Sequence, residues 1–431
     1  MSQPKNLDEL LAELSTTSEM KFDKETFSPP DRLDRICQAM RKNPMLQKLD
    51  FSWCDFITGN GNPDHFGNAG NHHAGGNGNI IQALVDSFPV GLVKLRFIET
   101  QLGEAGFKAL GDSFPPNLKE LLLYQVAVSE TAVESLFRLR PKNLAYLTLI
   151  HNPLGEEMMK GLIYAMPPNL LFLNFDSNNI GDAGVALLAR CLPPWLMFLD
   201  LTSNMIGPDG ARVLAETLPR NLINLNLTGN SIGDLGVRFL VNYLPPTLSD
   251  LELENNSIGD PGAKILAEKL PSSLTSLDVS KNRIGDVGIS ALARAIAKSA
   301  KMQSLRIQSC DFTQIGRRVL AQSILLGRAP LSGYSSFDFD LFEVSVEVLL
   351  DCFIEDAKAL ENRFCSAEMG PFIADKKRRA CLVSAINEWN AQELLVRRAF
   401  YVNTKKLMLE NAVWIICSYL WTSPDRKNWG E

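Results

Sequence analysis

Histidine is scarce in this chain, and the other residues that would build an active site are missing with it. Only four histidines occur in 431 residues. His65, His72 and His73 share one glycine- and asparagine-rich stretch, which leaves His151 by itself. No Gly-x-Ser-x-Gly, HExxH or glycine-rich phosphate loop occurs, so hydrolase, zinc-protease and nucleotide chemistry lack their usual residues. Eight cysteines are scattered with no CxxC and no paired framework, the usage of a reducing compartment. Cys310-Asp311 and Asp351-Cys352 set single thiols beside a carboxylate, a pattern more often buried than reactive. Positive charge is not in excess either. A net charge of −6 argues against general affinity for nucleic acid. The most apolar run near the C-terminus, 412–421, has about ten residues where a membrane helix needs about 20. Met1-Ser2-Gln3-Pro4-Lys5 lacks the apolar segment of a signal peptide. No catalytic residue, cofactor or metal is expected.

What the chain does have is a period. Leu92, Leu118, Leu144, Leu170, Leu196, Leu222, Leu248 and Leu274 open consecutive units of 26 residues. In the unit at Leu196, Leu199 and Leu201 alternate with Asp200 and Thr202, the period-2 pattern of a half-buried strand. Asn204 and Ile206-Gly207-Pro208-Asp209-Gly210 follow. Val213, Leu214 and Leu218 then recur at helical spacing until Pro219 stops the helix. Each unit therefore reads strand, turn, helix, turn. The strands must be parallel, because a helix crosses back between them. One unit cannot bury its own apolar face, whereas a stack can.

Asn152, Asn178, Asn204, Asn230, Asn256 and Asn282 fall at the ninth position of their units, where a carboxamide can both donate and accept between coils. Cys54, Thr100 and Cys310 take that position in weaker units. Val126 takes it in the unit at Leu118 and cannot hydrogen-bond, so a local defect is expected there.

The pattern Leu-x-x-Leu-x-Leu-x-x-Asn-x-Ile-Gly-Asp-x-Gly, followed by a helix, resembles the leucine-rich repeats of the ribonuclease-inhibitor-like class over about residues 31–327. The resemblance implies an α/β fold: a right-handed solenoid, or horseshoe, with a parallel concave sheet and convex helices. Ribonuclease inhibitors, Ran GTPase-activating proteins, innate-immune receptors and secreted effectors of intracellular bacteria belong to that class. The uniform period and the recurrent Pro115-Pro116, Pro167-Pro168, Pro193-Pro194 and Pro245-Pro246 are most similar to the bacterial effectors.

Around the repeats, residues 1–45 read as an N-terminal helical cap. It holds a short helix at 6–14, a polar linker to Pro29-Pro30 and a second helix at 31–41. The repeats run from 46 to 328. A Gly/Asn-rich insertion at 58–79 reads as a flexible linker, with a partner contact or a metal site as alternatives. Residues 329–431 read as a separate all-helical domain. Its basic run, Lys376-Lys377-Arg378-Arg379, reads as a solvated helix start, or else as a nuclear address or phosphate contact. Trp429 in the polar tail is compatible with a C-terminal secretion signal of the type IV kind.

The residues between the leucines should line the concave side. The first coils offer Lys48, Trp53, Lys94 and Arg96. The middle ones offer Leu122, Tyr124, Tyr146, Ile150, Phe172 and Phe198, and the later ones Asp176, Asp200, Asp250, Glu252, Glu254 and Asp278. Nothing in the fold requires exposed rings on adjacent strands, and such patches mark interaction sites. Cross-strand packing of the rings is the alternative. Tyr124, Tyr146, Ile150, Phe172, Phe198, Asp200, Asp250, Glu252 and Glu254 are the candidate partner-binding residues, with Tyr124, Tyr146 and Phe172 expected side by side. The function expected is a non-catalytic, monomeric scaffold for a protein partner with a basic patch, acting in the cytoplasm or translocated into a host cytosol. The alternatives are a GTPase-activating or other enzyme-regulating protein, using Arg96 or Asn174, and an enzyme housed in residues 331–431.

Overall fold

The computed structural model describes residues 7–23, 26, 31–54, 56, 78–299, 301–302, 304–313, 315–316 and 319–320. The expected C-terminal helical domain and the insertion with its three histidines lie outside these, apart from Gly78 and Asn79, which open a helix. Two compact units divide the chain, Met1–Glu252 and Leu253–Glu431, and each is described by itself.

Among the described residues of the first unit, nine strands alternate with nine helices. The strands are β1 (Glu19–Phe22), β2 (Lys48–Ser52), β3 (Lys94–Ile98), β4 (Glu120–Tyr124), β5 (Tyr146–Ile150), β6 (Phe172–Asn174), β7 (Phe198–Asp200), β8 (Asn224–Asn226) and β9 (Asp250–Glu252). The helices are α1 (Leu7–Leu14), α2 (Asp31–Lys42), α3 (Gly78–Val85), α4 (Gly103–Asp112), α5 (Glu130–Phe137), α6 (Gly155–Ala165), α7 (Gly181–Ala189), α8 (Pro208–Thr217) and α9 (Gly233–Leu240). Each strand pairs in parallel with the next in chain order. From β3 onward partners are 26 residues apart, so equivalent positions of successive units stand in straight columns. The second unit continues the pattern with α10 (Asp260–Lys269), β10 (Ser276–Asp278), α11 (Asp286–Lys298) and β11 (Ser304–Arg306), β10 and β11 being parallel.

The core lies between strands and helices. In the unit at Leu196, Leu196, Leu199, Leu201, Ile206 and Leu214 are all fully buried. Removing one such side chain from water contributes roughly 1.5–3 kcal/mol. At the N-terminal end the column of sixth positions carries rings: Phe22 stacks on Phe51 (5.1 Å) and Phe51 on Phe97 (5.2 Å). These large side chains close that end of the core. The segment read as a polar linker thus holds a strand, β1. It was hidden because only Met20 and Phe22 of its four residues are apolar, and pairing with β2 is what defines it.

The asparagine column is a hydrogen-bonded ladder. Asn204 Oδ1 accepts from the amides of Asn178 (3.1 Å) and Ile180 (3.3 Å), while its Nδ2 donates to the carbonyls of Phe175 (2.7 Å) and Thr202 (2.9 Å). Asn152, Asn178 and Asn230 repeat this in the first unit, and Asn282 does so in the second. The ladder fixes an unfavourable turn. Ser177, Ser203 and Gly229, each just before a ladder residue, are left-handed at φ 57°, 53° and 68°. Only glycine takes that conformation freely. Val126 is buried at the same position and offers neither donor nor acceptor, yet its own amide still reaches Asn152 Oδ1 (3.0 Å). The defect is therefore one-sided.

A second link was not foreseen. Gly207 and Gly285 stand at the N-caps of α8 and α11 and supply no side-chain cap, and an aspartate of the preceding coil caps them instead. Asp182 Oδ1 accepts from Gly207 N (2.6 Å) in the first unit. In the second, Asp260 Oδ1 accepts from Gly285 and Gly288 (both 2.8 Å), and Asp286 from Thr313 and Gly316. A carboxylate there satisfies orphan amides and complements the helix dipole. The approach is so close that a Cβ on Gly210 would collide with Asp182 Oδ1. Among the described residues no helix is long and apolar enough to cross a membrane.

Candidate partner-binding face

Strand residues alternate between the core and the face away from the helices. That outer face carries the third, fifth and seventh positions of each unit. In the first unit the third-position column runs Lys48, Lys94, Glu120, Tyr146, Phe172, Phe198, Asn224, Asp250. The fifth runs Asp50, Arg96, Leu122, Thr148, Asn174, Asp200, Asn226, Glu252 in the same registers.

Three regions follow. Over β2–β4 the face is charged and internally paired. Lys48 bonds Glu19 (2.9 Å), and both Lys94 and Arg96 (2.9 Å) reach Glu120. Burial is the largest influence on Glu120 and pushes its carboxyl up. The bonds and charges of Lys94 and Arg96 together outweigh it and hold the group below its ordinary range.

Over β5–β7 the third-position column is apolar. Tyr146 is 45% exposed and lies 6.0 Å from the half-buried Phe172, which stacks on Phe198 at 4.3 Å and 10°. Tyr124 is not in this row. It pairs with Ile150 in the seventh-position column and meets His151 edge-on at 5.4 Å. The expected triplet Tyr124–Tyr146–Phe172 is thereby corrected to Tyr146–Phe172–Phe198. The period alone contains the reason, since Tyr124 plus 26 is Ile150 and Tyr146 plus 26 is Phe172. Leu122 and Thr148 lie between the two columns.

Over β6–β9 the face is polar and acidic. Asp176 accepts from Ser177 Oγ (2.7 Å) and Asp250 from Ser249 Oγ (2.5 Å), and neither meets a cation among the described residues. Asp200 is buried, and its Oδ1 takes the amide (2.9 Å) and hydroxyl (2.7 Å) of Thr202. Asn174 and Asn226 capture the amide two residues on in the same way. That local bond ends β6, β7 and β8 at three residues, whereas Leu122 has no acceptor, Thr148 makes no such bond among the described residues, and β4 and β5 run to five. Glu254 belongs to the second unit, where it pairs with Lys281 (2.7 Å), and Asp278 there faces Arg306 (3.6 Å).

Burial, the largest influence on Asp200, pushes its carboxyl above the ordinary range, against the bonds from Thr202. A carboxylate raised on folding reduces stability above its folded pKa. That cost fades as pH falls through the folded value towards the unfolded one near ~3.9. Asp200→Asn is expected to keep or raise the melting midpoint at neutral pH, with any gain shrinking as the medium is acidified. Melts between about pH 4 and pH 7 check this. A variant that loses most at neutral pH would show that the charge is favourable.

A feature missed in the sequence lies just ahead of the strands. In several units the residue before the opening leucine bonds a carbonyl of the previous coil: Asn117 to Val90 (2.9 Å), Asn143 to Pro116 (2.7 Å), Asn169 to Lys142 (2.9 Å) and Thr247 to Arg220 (2.8 Å). Trp195 takes that place in the unit at Leu196 and is 61% exposed. With Leu171, Met197, Ile223, Asn221 and Thr247 it lines a mostly apolar groove of about 680 Å³. The groove shares backbone with the aromatic column, for Leu171 O accepts from Phe198 N (3.1 Å) and Ile223 O from Asp250 N (3.0 Å). The signal was present as a tryptophan among asparagines, outside the leucine motif.

The family model for the Leucine Rich repeat matches residues 42–61, 167–189, 193–215, 219–241, 245–267 and 271–293. These segments are leucine-rich repeats. The units at Leu92, Leu118 and Leu144 lie between matched segments and keep the same parallel strand order. Among solved structures the chain is similar to a TLR13–ssRNA13 complex, at 16% identity and TM-score 0.41, over 70% of this chain and 41% of that one. It is similar to an internalin (inlF) from Listeria monocytogenes str. 4b F2365, at 17% identity and TM-score 0.38, over 76% and 88% of the two chains. It is also similar to the yeast Rad7 and Elc1 complex, at 12% identity and TM-score 0.43, over 70% and 78%. The chain thus spans about two fifths of the TLR13 chain. No curated protein matches it in sequence.

Proposed function

We propose that this leucine-rich-repeat chain is a non-catalytic, monomeric scaffold that captures a protein with a basic patch on the outer face of its sheet. We further propose that it is a secreted effector of an intracellular bacterium acting in a host cytosol, on the likeness of its uniform repeats and Pro-Pro turns to that group. One observation carries the binding reading. The rings of Tyr146, Phe172 and Phe198 form a row on a face where the fold asks for no aromatic residue, and acids without cationic partners among the described residues flank it. Buried aromatic anchors supply affinity, and the acids would steer a basic partner and raise its on-rate.

The enzyme-regulating alternative needs a polar residue free to enter a nucleotide pocket. Arg96 is held by Glu120, and Asn174 by Asp200 and the Asp176 amide. Nothing observed favours that reading over the scaffold. Hydroxyl-radical footprinting of the full chain, with and without a partner captured from eukaryotic lysate, tests the scaffold. Tyr146, Phe172 and Phe198 should become protected while Tyr164, 81% exposed on α6, stays reactive. Protection of Tyr164 alone would move the site to the helix side.

A further inference from the structure

The third-position column changes character along one line. Tyr146, Phe172 and Phe198 present rings, Asn224 follows beside Phe198, and Asp250 follows beside Asn224. Asn224 Oδ1 is buried and has no hydrogen-bond partner, the one such side-chain atom among the described residues. Native proteins seldom leave a buried acceptor unpaired, and each instance asks for a reason. Asp250, next in line, meets only the Ser249 hydroxyl and no described cation. The opposite end of the same column behaves differently, since Lys48, Lys94 and Glu120 are all ion-paired. An apolar platform, an unsatisfied acceptor and an uncompensated carboxylate therefore occur in that order on consecutive strands.

We infer that this column seats an extended segment of the partner lying across the strands. An aliphatic or aromatic side chain rests on the Phe172–Phe198 stack, and an arginine donates to the Asp250 carboxylate and to Asn224 Oδ1, whose carboxamide turns outward from its buried position to accept it. The inference rests on reading the outer face as the docking surface. Arginine fits better than lysine for a geometric reason. Its planar guanidinium offers five donors in a fixed fork, which can serve two acceptors on neighbouring strands at once, whereas lysine presents a point charge. The spacing of the segment follows as well. Neighbouring strands lie about 4.8 Å apart, so the centre of the Phe172–Phe198 pair and the centre of the Asn224–Asp250 pair are roughly 10 Å apart. An extended chain rises about 3.3 Å per residue and alternates its faces, so the apolar residue and the arginine are about two or about four positions apart.

A phage-displayed library of random peptides about seven residues long, selected on the full chain, tests this directly. Enriched sequences should carry an apolar residue with arginine about two or about four positions after or before it. For a synthetic representative, Phe172→Ala in the protein should abolish binding. Asp250→Asn, Asn224→Leu and an arginine-to-lysine change in the peptide should each weaken it about tenfold or more, the size expected when one partner of a charged pair is removed. Melting curves confirm that the variants fold. Enriched peptides that need Phe172 but ignore Asp250 and Asn224 overturn the arginine seat and leave the docking face standing. Peptides indifferent to all three overturn both. No enrichment of any basic sequence overturns the seat for a linear segment, while the face itself is judged by capture of a folded partner.

Discussion

Replacing Asn230 with alanine is expected to lower stability by roughly 1–3 kcal/mol. Asn230 Oδ1 accepts from the amides of Asn204 (3.0 Å) and Ile206 (2.9 Å). Its Nδ2 donates to Leu201 and Leu227 (both 2.9 Å) and to Thr228 (3.2 Å). Alanine removes every one of these partners and leaves backbone groups of two coils unpaired in the core. A buried group so stranded costs about 1–3 kcal/mol, and water entering the space returns part of the sum. Glycine at 229 is left-handed, and the ladder holds that turn in place. A urea midpoint equal to that of the native chain would contradict the ladder as a source of stability.

The same physics makes neighbouring coils depend on each other. The asparagine ladder joins each turn to the next, and Asp182, Asp260 and Asp286 cap helices that belong to the following coil. Stability in such an array is a sum of terms within units and between neighbours. A coil that loses its neighbour loses helix caps as well as apolar contacts.

Most of the repeat architecture was legible because the pattern of leucine, asparagine and glycine is set by backbone geometry that recurs every 26 residues. Leucines at the first, fourth and sixth positions must be buried, and asparagine at the ninth must bridge coils. Partnerships between units were harder to read. The Gly-Asp-x-Gly motif showed where a helix begins, but not that Asp182 caps Gly207, 25 residues on. Strand β1 escaped because pairing, rather than alternation, defines it. The aromatic column of the proposed docking face was legible in composition and partly misplaced in geometry, since Tyr124 lies four positions along its strand from the third-position column. Asp200 reads in the sequence as a surface acid and is buried in the fold, because its carboxylate closes a turn with Thr202. The unpaired Asn224 Oδ1 and the groove beside Trp195 have no sequence signature beyond a departure from the consensus.

Capture of the partner by a chain carrying Tyr146→Ala, Phe172→Ala and Phe198→Ala tests the docking face most directly. Truncating a central aromatic anchor typically costs about 2 kcal/mol or more in binding, so three together should reduce affinity at least about thirtyfold and remove the partner from a pull-down. The fold should survive. These rings are exposed or half-buried on the outer face, and a cross-strand pair contributes only about 0.2–1 kcal/mol. The account predicts loss of capture with a circular-dichroism melt lowered by no more than a few degrees, roughly what such pairs contribute. Capture of the same proteins at native yield by the folded triple variant would contradict it.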